Sequence, residues 1–262
     1  MRVVFMGTPD FAVGTLDAII RAGHKVEAVI TQPDKPHGRS GKLVFPPVKE
    51  KALEYNIPVY QPVKLRQSDV IDKLKEINPD VIVVVAFGQI LPKSVLELPR
   101  YGCVNVHASL LPKYRGAAPI QWAVINGDEE SGVTTMLMND GIDTGDMLKV
   151  RRYKLAPKET GGSLFDKLSG VGAALLVKTL DELEKGTVKP VKQNETEATH
   201  VKMLDKSFGN IDFSMEAARI ERLIRGLNPW PSAFTHFNGK LLKIWDADVC
   251  DDVVCESGES VV

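Results

Sequence analysis

Asn105 and His107 stand two residues apart in the short apolar run 103–107. Successive side chains of an extended chain point to opposite sides, so this spacing puts an amide and an imidazole on one face of a strand, with Val104 and Val106 on the other. A hydrogen-bond donor is thereby held beside a base. Farther along, Asp143 lies between Gly141 and Gly145, where a turn could bring a carboxylate to orient or charge-balance the histidine. An amide, an imidazole and a carboxylate that meet in a cleft suffice for acyl-group transfer without a metal or a covalent intermediate. Cys103 shares the face of Asn105 and His107, which raises a cysteine–histidine nucleophilic pair as a second chemistry. It lies deeper in the strand, however, and reads better as a small buried core residue.

The elements that must position these groups are legible in the apolar pattern. An apolar run over 2–6, helical spacing of Val13, Leu16, Ile19 and Ile20, and a second strand at 26–31 make a strand, helix, strand unit, the mark of a parallel sheet with right-handed crossovers. The turn after the first strand carries Gly7 alone where a dinucleotide fingerprint needs three glycines, so NAD and FAD are rejected there. Asp10, beside Pro9, reads as a helix cap. Helices are expected at 48–55 and 70–77, and a strand or edge at 57–60. The run 81–86, β-branched nearly throughout, suits a central strand buried on both faces. It ends in Phe87, Gly88, Gln89, Ile90 and Leu91, an apolar loop at a strand's C-terminal end, where open α/β sheets bind ligands and a flat apolar one could lie. The strands 103–107 and 133–138 are expected to lead into the same edge, so that three strand ends converge on one cleft. A long helix follows at 163–184, stopped by Gly186.

Composition narrows the function classes. The chain has 262 residues, enough for one large and one small domain, and its formal net charge of -1 provides no global pull toward nucleic acid or membrane. Any nucleic-acid contact must come from a local basic patch. Segment 31–42 offers one: it is crowded with turn formers and carries Lys35, Arg39 and Lys42 with no acidic residue after Asp34. Its composition predicts a surface loop without strand or helix, and both a solvated loop and a phosphate-backbone contact fit it. Cys103, Cys250 and Cys255 have no repeated spacing, which argues against a disulfide framework and fits a reducing cytoplasm. No signal peptide is read at the N-terminus, no run approaches the ~20 apolar residues of a membrane span, and neither the histidines nor the cysteines show a metal spacing.

Beyond 186 the composition changes. Residues 187–199 are polar and nearly free of large apolar side chains, which marks a connection between two domains. A helix is expected at 215–225 with Ser214 as its cap, and Asn238-Gly239 between two apolar runs predicts a β-hairpin. The segment opens like a small β-barrel and ends before enough strands have appeared to close one, so the hairpin is expected either to pack on the first domain or to be the start of something longer.

Taken together, Asn105 and His107 followed by Ser109, Leu110, Leu111 and Pro112, then Tyr114, Arg115 and Gly116, then Gly141 through Asp146, resemble the folate-dependent formyltransferases. The turn at Gly7, the segment 31–42 and Asn228-Pro-Trp-Pro231 are similar to the members of that family that formylate methionyl initiator tRNA. The resemblance implies a Rossmann-like α/β catalytic domain over 1–186, a linker over 187–206, and from 207 to 262 part of an OB-like C-terminal barrel that binds tRNA. It also implies the reaction: transfer of a formyl group from 10-formyltetrahydrofolate, with no metal, by a cytoplasmic monomer. The family's catalytic Asn, His and Asp fall on Asn105, His107 and Asp143. Its folate-binding stretches fall on Ser109, Leu110, Leu111 and Pro112 and on Phe87, Gly88, Ile90, Leu91, Asp140 and Gly141. Arg39, with Lys35 and Lys42 beside it, falls where the family's loop enters the acceptor end of the tRNA, which favours phosphate contact at 31–42.

Two other readings compete: a related formyltransferase acting on an amino sugar nucleotide or glycinamide ribonucleotide, and a non-catalytic folate- or RNA-binding module. With the barrel incomplete, tRNA binding is expected to be weak and steeply salt-dependent. A filter-binding titration without a salt slope would refute the phosphate contacts.

Overall fold

The apolar strand in the middle of the chain can be satisfied only if both its faces are covered, and the architecture follows from that demand. The computed structural model describes residues 1–37 and 42–250. The chain begins with β1 (Arg2–Gly7), α1 (Asp10–Arg21), β2 (Lys25–Ile30), β3 (Lys35–His37) and β4 (Lys42–Val44). α2 (Pro47–Glu54), β5 (Val59–Tyr60), α3 (Ser68–Ile77), β6 (Val81–Val85) and α4 (Lys93–Leu96) follow. Next come β7 (Cys103–His107), the two-residue β8 (Arg115–Gly116), α5 (Pro119–Asn126), β9 (Glu130–Leu137), β10 (Met147–Lys154) and α6 (Gly161–Glu184). The last elements are β11 (His200–Val201), α7 (Ala217–Gly226), β12 (Ala233–Phe237) and β13 (Lys240–Ile244).

Seven strands form one sheet in the order β10-β9-β7-β6-β1-β2-β5, the Rossmann-like arrangement the pattern predicts. From β7 to β5 every pair is parallel. Val3, Phe5, Val81, Val83, Val104 and Val106 pack on one side against α1 and α6, while Val4, Met6, Ile82, Val84 and Cys103 pack on the other against α3 and α4. The alternation of side chains along each strand thus sorts two core layers, and it puts Asn105 and His107 on the second.

Four expectations need correction. β9 runs antiparallel to β7, with Val104 opposite Leu137 and His107 opposite Thr134. The C-terminal end of β9 therefore lies at the edge where β7 begins, and the three strand ends do not converge. An apolar run specifies a strand but not its direction, which depends on where the preceding connection delivers the chain. The segment 31–42 is not free of regular structure, since Lys35, Pro36 and His37 pair with Val44, Leu43 and Lys42. Pro36 is tolerated because each strand of a two-stranded ribbon is an edge. Asp34 anchors the ribbon's base, accepting from Lys49 Nζ at 2.7 Å and from Gln61 Nε2 at 2.7 Å. Asp10 starts α1 but makes no capping hydrogen bond; its carboxylate acts only through its place in the first turn, at the positive end of the helix dipole. Ser214 does not cap α7 either: its hydroxyl and amide both bond Asp212 Oδ1, and the helix begins at Ala217.

The C-terminal hairpin forms as predicted. Asn238 and Gly239 both take positive φ, 48° and 74°, as a two-residue turn matched to strand twist requires. Ala233 and Ile244 join Ile125 of α5 and Leu223 and Ile224 of α7 in a third core, so the hairpin packs on the first part of the chain as expected. Among the described residues no helix is long and apolar enough to cross a membrane.

Leu168, fully buried where α6 meets the sheet, tests how much this packing contributes. Leu168→Ala is expected to lower unfolding stability by about 2–5 kcal/mol in urea titration, with the circular dichroism of the folded state unchanged.

Candidate active site

Asp143 joins Asn105 and His107, but by a different route from the one the strand pattern suggests. The loop 138–146 between β9 and β10 folds back over the sheet face and lays the carboxylate beside β7. Asn105 Nδ2 donates to Asp143 Oδ1 at 3.3 Å, the Gly116 amide donates to Oδ2 at 2.9 Å, and His107 Nδ1 faces Oδ2 at 3.6 Å. His107, only 7% exposed, makes its other contact from Nε2 to the carbonyl oxygen of Tyr114 at 2.9 Å. A carbonyl oxygen only accepts, so Nε2 carries a proton and Nδ1 is the atom free to take one. The Asn105 amide has one hydrogen engaged by Asp143 and a second to offer a substrate.

Local structure explains how the loop is held. Asn139 Oδ1 accepts from the Gly141 amide and from Thr144 Oγ1, and the Leu137 amide bonds the Asp146 carbonyl. A Cβ at Gly145 would overlap the Leu137 carbonyl oxygen, so glycine is required there. Asp143 itself sits at φ 53°, and Ala86 and Tyr114 are also left-handed, at 45° and 60°. Such conformations cost of order 1–3 kcal/mol each and persist where surroundings over-determine them, as at functional sites.

The expected folate-binding residues fall into two groups. Phe87 and Leu91 are buried and anchor the loop after β6, whose Phe87 carbonyl accepts from Thr8 Oγ1 and Gln32 Nε2. Ile90 is 82% exposed on that loop and Ile142 is 65% exposed on the loop 138–146. Gly88, Asp140 and Gly141 are exposed near them in sequence. Ser109 is buried and directs its hydroxyl to the Lys113 carbonyl at 2.6 Å. Leu110, Leu111 and Pro112 line a groove of about 590 Å³ shared with Arg151 and Arg152, and none of Asn105, His107 or Asp143 lines it. Lys35 is exposed on β3 and Lys42 opens β4. Arg39 lies outside the described residues.

The nucleophilic cysteine loses its case. Burial pushes the Cys103 thiol up to about 12, and its Sγ–H points to the Val95 carbonyl at 3.6 Å. Among the described residues no cluster of His, Cys, Asp or Glu could hold a metal ion.

Sequence reasoning missed the contribution of residues 187–206. Gln193 is buried and donates from Nε2 to the carbonyls of Asp143 and Gly145. Its Oε1 accepts from Nε of Arg115, whose guanidinium makes a two-pronged pair with Glu195. β11 then pairs in parallel with β8, His200 with Arg115 and Val201 with Gly116. The polar stretch is therefore a strap across the site. An isolated glutamine in a polar tract has no periodicity to reveal it; Arg115, in a strand-like bend beside Gly116, was the only local sign.

With this geometry in view, comparison with known proteins defines the class. The formyl transferase family model matches residues 1–180 and its C-terminal domain model matches residues 203–261. The chain belongs to the formyl transferase family. A methionyl-tRNA formyltransferase of Lachnospira eligens is 68% identical over 97% of this chain and 80% of its own length. Another with that name, from Clostridioides difficile, is 55% identical over 96% of this chain and 82% of its own length. Solved structures share the fold. An N-formyltransferase of Helicobacter canadensis, in complex with folinic acid and dTDP-3-aminofucose, has a TM-score of 0.70 at 20% identity, covering 97% of this chain and 89% of its own. A 4-N formyltransferase of Francisella tularensis has a TM-score of 0.73 at 16% identity, covering 95% of this chain and 98% of its own.

Because the Cys103 thiol titrates far above neutrality, it stays protonated throughout the physiological range. Iodoacetamide at pH 8 is expected to leave Cys103 unmodified in the folded protein, and Cys103→Ala to keep at least half the formyl transfer. Peptide mapping and the transfer assay check both.

Proposed function

We propose that the protein transfers a formyl group from 10-formyltetrahydrofolate to the α-amino group of methionyl initiator tRNA, in support of translation initiation. The observation that carries the reading is the meeting of Asn105, His107 and Asp143 in one hydrogen-bonded group, in a chain 68% identical to a protein named for that activity. The donor supplies an activated formyl carbon; the chain's residues do the rest. Asn105 offers its free amide hydrogen to the oxygen that gains charge as the amine adds to that carbon. His107 takes the amine's proton at Nδ1, where the Asp143 carboxylate balances the new positive charge, and that proton is available to the departing folate nitrogen. A water held by Asp143 is the other route for the same proton.

The loop after β6 and the loop 138–146 are the segments assigned to the donor's flat ring in this reading. Ile90 and Ile142 are large apolar side chains left in solvent on these two loops, and Gly88, Asp140 and Gly141 supply backbone and carboxylate polarity. Folinic acid in the Helicobacter canadensis relative is consistent with a folate there. Ser109, Leu110, Leu111 and Pro112 belong to the same proposal as the wall beyond His107. Phosphate contacts of the acceptor fall to Lys35, Arg39 and Lys42. The division into a catalytic unit over 1–186, a connecting strap over 187–206 and a tRNA-binding unit from 207 is part of this reading. A monomer acting in the cytoplasm is part of the same reading.

The rival acceptors are separated by assay. Formyl transfer from 10-formyltetrahydrofolate is expected to methionyl initiator tRNA, and not to uncharged tRNA, an amino sugar nucleotide or glycinamide ribonucleotide. Asn105→Ala and His107→Ala are each expected to lose about 10²- to 10³-fold in rate while still binding folate. Near wild-type turnover in either would sink the mechanism.

A further inference from the structure

Asp143 is held at both ends, and the holders form a closed ring. Its carboxylate accepts from the Gly116 amide at 2.9 Å. Its own carbonyl accepts from Gln193 Nε2 at 2.8 Å, and the same Nε2 donates to the Gly145 carbonyl at 2.8 Å. Gln193 Oε1 accepts from Arg115 Nε at 3.0 Å, and Arg115 is bonded covalently to Gly116. The ring thus runs Asp143, Gly116, Arg115, Gln193 and back to Asp143.

The orientation of the Gln193 amide follows from its partners. Two carbonyl oxygens need donors and one guanidinium N–H needs an acceptor, so turning the amide over would set oxygen against oxygen and N–H against N–H. Glu195 fixes the far end of Arg115 with two bonds, at 2.8 and 2.7 Å. Arg115 is 1% exposed, so its charge has little water to turn to if those bonds are lost. Asp143 meanwhile holds φ at 53°, a conformation that a nine-residue loop without regular structure does not maintain by itself. From these contacts we infer that Gln193 is a positioning residue, holding the backbone of Asp143 so that its carboxylate stays beside Asn105 and His107. The inference rests on the reading that Asp143 acts in the reaction with His107.

It also gives residues 187–206 a task beyond connection. The strap that carries Gln193 and Glu195 leads directly into β11, which pairs with Arg115 and Gly116. The segment leading to the C-terminal part of the chain is therefore tied to the same dipeptide that donates to Asp143.

Two variants of nearly unchanged size test this in the full chain. Gln193→Met removes the donor and the acceptor, and Gln193→Glu keeps the acceptor but removes the donor. Each is expected to lower kcat about 10²-fold, the scale of a displacement near 1 Å at a reacting centre. The KM for 10-formyltetrahydrofolate is expected to stay within about threefold, a split that general unfolding would not give. In the Asp143→Asn background, Gln193→Met is expected to change the residual rate less than about threefold, because both substitutions remove one function. Wild-type kcat in Gln193→Met or Gln193→Glu, or losses that multiply in the double variant, would overturn the inference. Should neither variant fold, Glu195→Gln is read in the same assay, with kcat reduced about tenfold expected and wild-type kcat overturning. Full activity of Asp143→Asn alone would instead overturn the catalytic reading beneath it, and that outcome does not involve Gln193.

Discussion

One carboxylate, that of Asp143, brings together three parts of the chain that are distant in sequence. β7 contributes Asn105 and His107, the bend at β8 contributes the Gly116 amide, and the hairpin loop 138–146 contributes the carboxylate itself. Polar groups taken from water need partners, and here the partners are one another. The carboxylate's placement decides which hydrogen of Asn105 is free, and it sets the surroundings of His107 Nδ1, whose ring is oriented from the other side by the Tyr114 carbonyl. Removing the carboxylate would leave the Asn105 amide without a fixed direction and His107 Nδ1 without the charge that faces it.

The sheet contributes by separating functions between its faces. Val104 and Val106 commit one side of β7 to the core under α6, so that the other side can carry an amide and an imidazole without opening a hole in the packing. Cys103, on that second side, stays with the apolar layer formed with α4, where burial keeps its thiol protonated. The boundary between core and site therefore falls between Cys103 and Asn105, two residues apart on one strand. Left-handed conformations at Ala86, Tyr114 and Asp143 gather on the segments around this boundary, where the fold carries strain to aim its loops.

The basic ribbon and the C-terminal elements lie apart in the sequence from the group around Asp143. The ribbon of β3 and β4 is pinned at its base by Asp34, Lys49 and Gln61, and Lys35 on β3 is exposed. The C-terminal helix and hairpin pack on α5 through a separate core. Between them, Gln193 in the segment 187–206 contacts Asp143, Gly145 and Arg115, so this segment is tied to the hydrogen-bonded group of Asn105, His107 and Asp143.

Residue type and spacing by themselves determined six of the seven strands of the sheet, all but β10, together with the faces they present, the hairpin at Asn238-Gly239 and the pairing of Asn105 with His107. Those features depend on neighbours within a few residues, where periodicity is a direct image of geometry. The direction of β9 and the route by which Asp143 arrives were decided only by tertiary structure, because an apolar run looks the same in either direction. Gln193, Arg115 and Glu195 were likewise invisible as a unit. Their contacts span 48 to 80 residues of chain, and a polar side chain whose partners are that far away leaves no local pattern to read.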